Sequence, residues 1–393
     1  MEKTKVSIVK LVDYQSESTL AALKRSLNLL GGLEKFIKTG SRVFVKINHL
    51  SPPSPPEKAI VTHPFFTGEV LRLLKEFNLK ITVGDDIQSD AKKDGFLISG
   101  YRQVCNELGI RLVNLKKNGF RAVECKGEVL KKVYISPPVL EADFIINLPK
   151  LKTHSFTAFT GAVKNMFGII PLGLRLDYHR QYIKNELFSQ MLVDIFSCAP
   201  PHLTLMDGVI AMEGEGPSAG NLVNAGLILA SQDAVAVDAV ASKVIGFNPL
   251  DIYTTLFAHE RGLGVGKMEN IEIMGENIHD VELRNFKKSA LAVGLLRRKI
   301  PSLLYAYIQS QLTFIPEVVS SRCNACMECI NICPCNAAKL VQDSSWIDEG
   351  LCIHCMCCHE VCRFRAIKLK QSFMGKVTRA VISLYEKIMS LGR

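Results

Sequence analysis

The sequence predicts an α/β fold: a mixed, largely parallel sheet domain followed by a small α+β domain rich in cysteine. Three observations carry this. Short β-branched runs alternate with amphipathic stretches through the first 286 residues, as they do when crossover helices join parallel strands. Of 393 residues, 48% are apolar and 22% charged, which excludes a disordered or fibrous chain and leaves ample material for a core. Ten of the 13 cysteines fall between Cys323 and Cys362, so the last quarter of the chain follows different rules.

Taken in order, the expected strands are Lys5–Leu11, Arg42–Ile47, Lys80–Val83, Arg111–Leu115, Phe144–Leu148, Leu203–Met206, Leu227–Ala230 and Ile271–Met274. Ser18 is placed to cap a helix running to Leu30, where Gly31 and Gly32 end it. Pro64 suits the first turn of a helix through Phe77, because an N–H is unbonded there in any case. Asp233 caps a helix to Ile245, closed by Gly246. The run from Ser51 to Pro56 holds four prolines and reads as a stiff loop after a strand. In α/β folds, such loops contact ligands.

These patterns divide the chain into an α/β domain (1–286), a basic and apolar connector (287–320), a cysteine-rich domain (321–370) and an amphipathic basic helix (371–393). In the helix, Val377, Val381, Leu384, Ile388 and Leu391 share one face. The net charge of +10 is equally uneven. Residues 1–286 carry 33 basic and 31 acidic groups, whereas residues 287–393 carry 15 and 7. The excess lies on two flanks, 287–301 and 363–393, beside an acidic body. This is no nucleic-acid stripe. It predicts a redox partner with an acidic surface, or peripheral contact with an anionic membrane, weakened by salt. The first thirty residues lack an apolar signal core, and the uncharged stretch from Ile300 to Pro316 is interrupted by Pro301 and by Gln309 to Gln311. The expected location is cytoplasmic.

The cysteines form a double run: Cys323-x2-Cys326-x2-Cys329-x3-Cys333, then Cys352-x2-Cys355-x2-Cys358-x3-Cys362, at a constant offset of 29 residues. Three cysteines each three apart wrap one face of a cubane, and the fourth iron is reached from elsewhere. A zinc site prefers two well-separated CxxC pairs, and disulfides do not explain an eight-cysteine repeat. Residues 321–370 resemble the bacterial dicluster ferredoxins. The resemblance implies two 4Fe-4S clusters, one on Cys323, Cys326, Cys329 and Cys362, the other on Cys352, Cys355, Cys358 and Cys333, each fourth cysteine crossing over. Pro334 follows the first run as is usual there, but Arg363 follows the second and brings a cation close. Cys335 and Cys357 are surplus to the eight and read as spectator thiols. His354 and His359 read as surface or hydrogen-bonding residues.

The other concentration of chemistry is Lys150-Leu151-Lys152-Thr153-His154, just past a strand, then Lys164-Asn165-Met166-Phe167-Gly168. Lys150, Lys152 and Lys164 would neutralise a carboxylate or phosphate, and His154 would move a proton near neutral pH. A solvated lysine face with a packed histidine produces the same pattern. Asp85, Asp86 and Asp207 sit at strand ends, where they would hold a divalent cation, orient a substrate or cap a turn. Gly214, Gly216 and Gly220 do not form a P-loop, and Gly262-x-Gly264-x-Gly266 lacks the strand-to-helix setting of a dinucleotide site.

The run Asn147–His154 with Lys164–Gly168 resembles the domain-of-unknown-function 362 family. Lys46-Ile47-Asn48, Thr62-His63-Pro64, Gly84-Asp85, Asp207-Gly208 and Ser231-x-Asp233 add to the likeness, which spans about Val43 to Gly264. It implies a pocket with His154 and Lys164 as catalytic groups and Lys46, Asn48, Lys150, Lys152, Asn165 and Asp207 around an anionic small molecule. The expected function is an iron-sulfur oxidoreductase component relaying electrons between the clusters and that pocket. Its alternatives are a docking or electron-transfer protein without its own reaction, and a scaffold or maturation factor with structural clusters.

Overall fold

The structure is a computed structural model that describes residues 3–50, 52–87, 94–289 and 314–371, with Gly375 and Val377. Most of the basic flanks and the amphipathic tail lie outside the described residues. All eight expected strands form, and among the described residues eight more join them. In chain order they are β1 (Thr4–Lys10), β2 (Arg42–Ile47), β3 (Lys80–Asp85), β4 (Arg111–Asn114), β5 (Arg121–Glu124), β6 (Lys132–Ile135), β7 (Phe144–Leu148) and β8 (Lys150–His154). These are followed by β9 (Ala158–Thr160), β10 (Leu203–Glu213), β11 (Asn221–Ser231), β12 (Ile271–Gly275), β13 (Phe314–Val318), β14 (Ala338–Val341), β15 (Ser344–Ile347) and β16 (Ile367–Gln371).

A ten-stranded sheet runs β12-β1-β11-β10-β7-β2-β3-β4, with β8 branching from β10 and β9 pairing with β8. Pairing is parallel from β4 through β3, β2 and β7 to β10, then antiparallel from β10 to β11 and from β11 to β1. The fold is therefore α/β with a mixed, largely parallel sheet. Strand β2 continues to β3 on one side and is flanked by the later β7 on the other, so the strand order reverses between β2 and β7. Ligands in open α/β sheets sit outside the strand carboxyl ends at such a reversal. Here those ends carry Lys46 to Asn48, Asp85 and Asn147.

Both faces of the sheet are covered. Helix Pro64–Lys75 packs Phe66, Val70, Leu71 and Leu74 against Val43, Val45 and Val83. Helix Asn185–Cys198 covers the other face through Phe188, Leu192 and Ile195. Helix Ala234–Val244 is buried all round but for Lys243, which suits its almost wholly apolar sequence. Asp233 caps it as expected, accepting from Val235 N (2.9 Å) and Ala236 N (3.0 Å). The cap assigned to Ser18 is displaced: the first helix starts at Ser16 behind Gln15, and Ser18 Oγ donates to the Gln15 carbonyl inside the first turn. The glycines do end this helix, with φ of +107° at Gly31 and +92° at Gly32.

Lys150–His154, expected just past the end of a strand, is itself a strand. Proline separates β7 from β8 without ending the direction of the chain, and β10 is long enough to pair first with β7 and then, in the same register, with β8 at Lys150, the register shifting only between Asp207 and Met212.

In the cysteine-rich region the repeat is structural as well as sequential. Ala325 and His354, Met327 and Met356, and Asn336 and Arg365 form three pairs at the 29-residue offset, and all six residues have positive φ. Short helices Glu328–Asn331 and Cys357–Val361 occupy matching places. β13 pairs with β16 and β14 with β15.

Candidate functional site

A cavity of about 110 Å³ opens where the strand order reverses. From the sheet domain its wall includes Lys46, Asn48, Lys152, Lys164, Asn165 and Arg175. From the cysteine-rich region it takes Ile332, Cys357, Glu360 and Val361. The two parts meet around it. Arg365 Nη2 donates to the Gly220 carbonyl (2.7 Å), Ser218 Oγ donates to the Glu360 carbonyl, and Leu176 packs on the cysteine core.

Each cation is held differently. Lys46 Nζ lies 2.8 Å from Asp85 Oδ2 and donates to the Ile47 carbonyl. Asp85 also accepts from His49 N (2.9 Å) and Asp86 N (2.8 Å). Burial pulls the Lys46 ammonium down and the Asp85 carboxyl up, while their contact opposes both shifts. Arg175 pairs with Asp86 at 3.0 Å. Lys152 Nζ donates to the Ile60 carbonyl and, among the described residues, has no carboxylate within ion-pair distance. Burial, then Lys164 and Lys150, hold Lys152 well below the usual lysine range. Lys164 is depressed by burial and supported chiefly by Glu360. Asn48, Asn165 and Asn147 form an amide chain, Asn48 Nδ2 donating to Asn165 Oδ1 (3.0 Å) and Asn165 Nδ2 to Asn147 Oδ1 (2.7 Å).

Several buried polar atoms on this wall have no partner among the described residues: Asn48 Oδ1, His49 Nδ1, Thr160 Oγ1, Arg175 Nε and His179 Nδ1. Unpartnered buried groups are costly, and their convergence on one cavity marks a place for a polar ligand.

Three expected site residues lie elsewhere. Lys150 and Asp207 do not line the cavity. They form a buried pair at 2.7 Å, closed by Tyr14, whose hydroxyl donates to Asp207 Oδ1 (2.9 Å) and accepts from Lys150. Strand β10 brings Asp207 directly beside Lys150. Asp207 is thereby a structural counter-ion, and Asp85 and Asp86 are likewise committed to Lys46 and Arg175. His154 stands behind the wall. Its Nδ1 accepts from Phe156 N (3.0 Å) and Thr157 N (3.3 Å), so its proton resides on Nε2. That atom faces Glu360 Oε1 at 3.4 Å, within ion-pair range but without the alignment of a hydrogen bond. Burial and nearby Lys164 keep His154 neutral. Burial also raises Glu360 to about 7, against the pull of Lys164 and Lys152.

Glu360, Arg175, Thr160, His49 and His179 were not expected here. Glu360 falls between Cys358 and Cys362, where a charged residue reads as solvent-facing. Cys357 is also more than a spectator by position, being buried in the cavity wall. Cys335 stays beside Cys333, with sulfurs 3.7 Å apart. His359 is buried with Nδ1 2.9 Å from the Ile367 carbonyl. Arg363 is paired with Glu328 at 3.1 Å, which blunts the charge it brings.

The eight repeat cysteines fit the groups that their spacing implies. Cys333, Cys352, Cys355 and Cys358 line one small cavity whose other walls are apolar, including Pro316, Ala338, Ile347 and Ile353. Cys329 lies in the electrostatic neighbourhood of Cys326, Cys362 and Cys323. Cys333 Sγ accepts from Ala337 N and Cys362 Sγ from Ala366 N, both at 3.2 Å. Ser345 donates its N–H to Cys323 Sγ (3.4 Å), and its hydroxyl oxygen accepts from Cys329 Sγ (3.2 Å). Such donors suit cluster thiolates. Among the described residues, no three His, Cys, Asp or Glu groups converge tightly enough to chelate a single ion. A four-iron cubane holds its thiolates farther apart than one ion does, so the two findings agree.

No helix among the described residues is long and apolar enough to cross a membrane. Residues 345–368, which contain the second cysteine run, match the 4Fe-4S binding domain. A thylakoid-associated protein of Synechocystis sp. is 32% identical over 257 residues, 65% of this chain and 78% of that protein. Among solved structures, the lactate racemase apoprotein from Thermoanaerobacterium thermosaccharolyticum aligns at 14% identity and a TM-score of 0.42, over 62% of this chain and 57% of that one. A protein from Thermotoga maritima aligns at 14% and 0.33, over 50% and 51%. The chain thus spans little more than half the length of either structure. Residues 43–243 match the family described as Domain of unknown function (DUF362); with half of its length inside that match, the chain belongs to this family and carries a 4Fe-4S binding domain beyond it.

Proposed function

We propose that the chain is an iron-sulfur oxidoreductase component. On this reading, Cys323, Cys326, Cys329 and Cys362 hold one 4Fe-4S cluster, and Cys352, Cys355, Cys358 and Cys333 hold another. The observation that carries it is the shared cavity: cations of the sheet domain face a helix bearing the cysteines across about 110 Å³. The clusters would supply single electrons. The chain's own residues do the rest. Lys46, Lys152, Lys164 and Arg175 bind an anionic small molecule, with Asn48 and Thr160 orienting it. Lys164, on the wall, is the group placed to give it a proton. His154 acts one step back, through Glu360, as a positioning residue. Fusing a redox module to its target site raises the effective concentration of one at the other. The basic flanks are proposed to seat an acidic redox partner or to rest on an anionic membrane surface.

Reversible reduction tests this reading. Anaerobically purified protein should contain about eight iron and eight labile sulfides per chain, the sum for two cubanes. Each cluster should be reduced and reoxidised in an electron paramagnetic resonance titration. Clusters that cannot be cycled would make them structural and remove the electron-transfer role.

A further inference from the structure

We infer that the two cysteine sets are unequal in position: Cys333, Cys352, Cys355 and Cys358 form the set proximal to the anion cavity, and Cys323, Cys326, Cys329 and Cys362 form the distal one. This deepens the function proposed above and rests on it for the presence of both clusters.

The key residue is Cys357. It lines the anion cavity, and it also lines the small apolar cavity bounded by Cys333, Cys352, Cys355 and Cys358. A single helical residue therefore separates the two spaces. Ile332, the neighbour of Cys333, lines the anion cavity from the same side. Only Val361 adjoins a cysteine of the other set, and Cys362 itself is not on the wall. The distal set looks away. Cys326 is exposed, and Cys323 and Cys329 are bonded to Ser345 in β15. The next residue there, Trp346, is 48% exposed.

Charge sharpens the asymmetry. Lys164 stands in the electrostatic neighbourhood of Cys357 and Glu360, and Lys152 in that of Glu360. Lys152 is buried and Lys164 half-buried on the wall, where charges act more strongly over a given distance than at the open surface. A fixed cation stabilises the reduced, more negative form of the cluster nearest to it. The cavity lysines accordingly raise the midpoint potential of the proximal set and leave the distal set almost untouched. The cavity wall thus makes the proximal set the one that exchanges electrons with a bound anion, and the distal set the one presented to an external carrier. Neither Cys357 nor Glu360 is required as a ligand for this. Cys357 serves as the partition, and its thiol fills space that water would otherwise occupy between the two cavities.

The test is a dithionite titration of the full-length holo-protein followed by electron paramagnetic resonance. Cys326→Ser and Cys355→Ser assign the signals, since each alters ligation of one cluster. Lys164→Gln removes a cation without removing the wall. It should lower the midpoint of the Cys355-assigned signal by at least twice the shift of the Cys326-assigned one. Lys164→Arg, which keeps the charge, should restore it. Lys152→Gln makes the same measurement if Lys164→Gln does not accumulate as holo-protein. Equal shifts in both signals, a larger shift in the Cys326-assigned signal, or none in either would overturn the assignment. These outcomes do not depend on any anion being bound. A chain that binds no anion but shows the selective shift refutes the substrate reading alone, and equal shifts in a chain that binds one refute this inference alone.

Discussion

Gly168 is the most sensitive backbone position in the site, and replacing it with alanine exposes why. Its φ is not in the left-handed region, so alanine meets no conformational penalty. The obstacle is space: a Cβ there would lie 2.3 Å from Asp85 Oδ1 and 2.8 Å from Lys46 Nζ. Neither group can swing aside. Asp85 is fixed by Lys46, His49 N and Asp86 N, and Lys46 by Asp85 and the Ile47 carbonyl. Moving the carboxylate far enough breaks at least its bond from Asp86 N, a charged hydrogen bond worth about 1.5–3 kcal/mol. Full rupture of the buried pair costs about 3–5 kcal/mol. Alanine recovers up to about 1 kcal/mol from the stiffer unfolded chain, which leaves a net loss of about 2–4 kcal/mol. At roughly 2–4 °C per kcal/mol for a large domain, melting should fall by about 4–16 °C. The assay is far-ultraviolet circular dichroism of anaerobic holo-protein at one scan rate, because unfolding of such proteins is commonly irreversible. Gly173→Ala is the matched control. It sits exposed in the first turn of helix Leu172–Gln181 with nothing within 4 Å of the added Cβ, and should be neutral or stabilising by up to about 1 kcal/mol. If Gly168→Ala melts with or above the control, the pinned Lys46–Asp85 pair is not what shapes this wall.

Two further outcomes are expected. Asp194 is buried and accepts from Glu128 N (3.0 Å), Val129 N (2.8 Å), Leu130 N (2.7 Å) and Arg261 (2.6 Å); Asp194→Ala leaves all four donors unpaired and should cost about 3–5 kcal/mol by the same melting assay, with a change under 1 kcal/mol counting against the network. Burial lowers His49 and His179 to about 3 in the folded chain, against about 6.5 when unfolded. The unfolded chain therefore binds more protons below 6.5, so stability is complete above that pH and declines toward pH 3, by about 1.4 kcal/mol per histidine per pH unit. His179→Leu should flatten that slope, and an unchanged slope between pH 7.5 and 5.5 would contradict a neutral, buried His179.

Much of the fold was legible because its signals are local. β-branched runs located eight strands, Asp233 announced its helix, and the 29-residue cysteine repeat reappeared as paired positive φ values. What could not be read was contact across the sheet. Lys150 and Lys152 look equivalent in sequence, yet Asp207 on β10 neutralises the first and leaves the second in the cavity wall. Pro149 looks like the end of a strand, but pairing with β10 carries the chain onward. Glu360 was invisible as a site residue for a different reason. Its neighbours are metal-ligand cysteines, and only docking of that helix onto the sheet domain turns it inward toward His154 and the lysines. Arg175 gave no signal because helix Leu172–Gln181 has no clear apolar face, and its pairing with Asp86 is a product of the fold.

The central claim is that the cavity holds an anion beside the cysteine-bound clusters. Native mass spectrometry of the anaerobically purified chain addresses it directly, comparing wild type with Lys152→Gln/Lys164→Gln. The wild-type mass should exceed the polypeptide by two 4Fe-4S clusters and an anionic small molecule, and the double variant should keep the clusters and lose the small molecule. A variant that retains the same adduct, or a wild-type chain that carries none after purification and exposure to cell extract, would contradict a ligand site at these lysines.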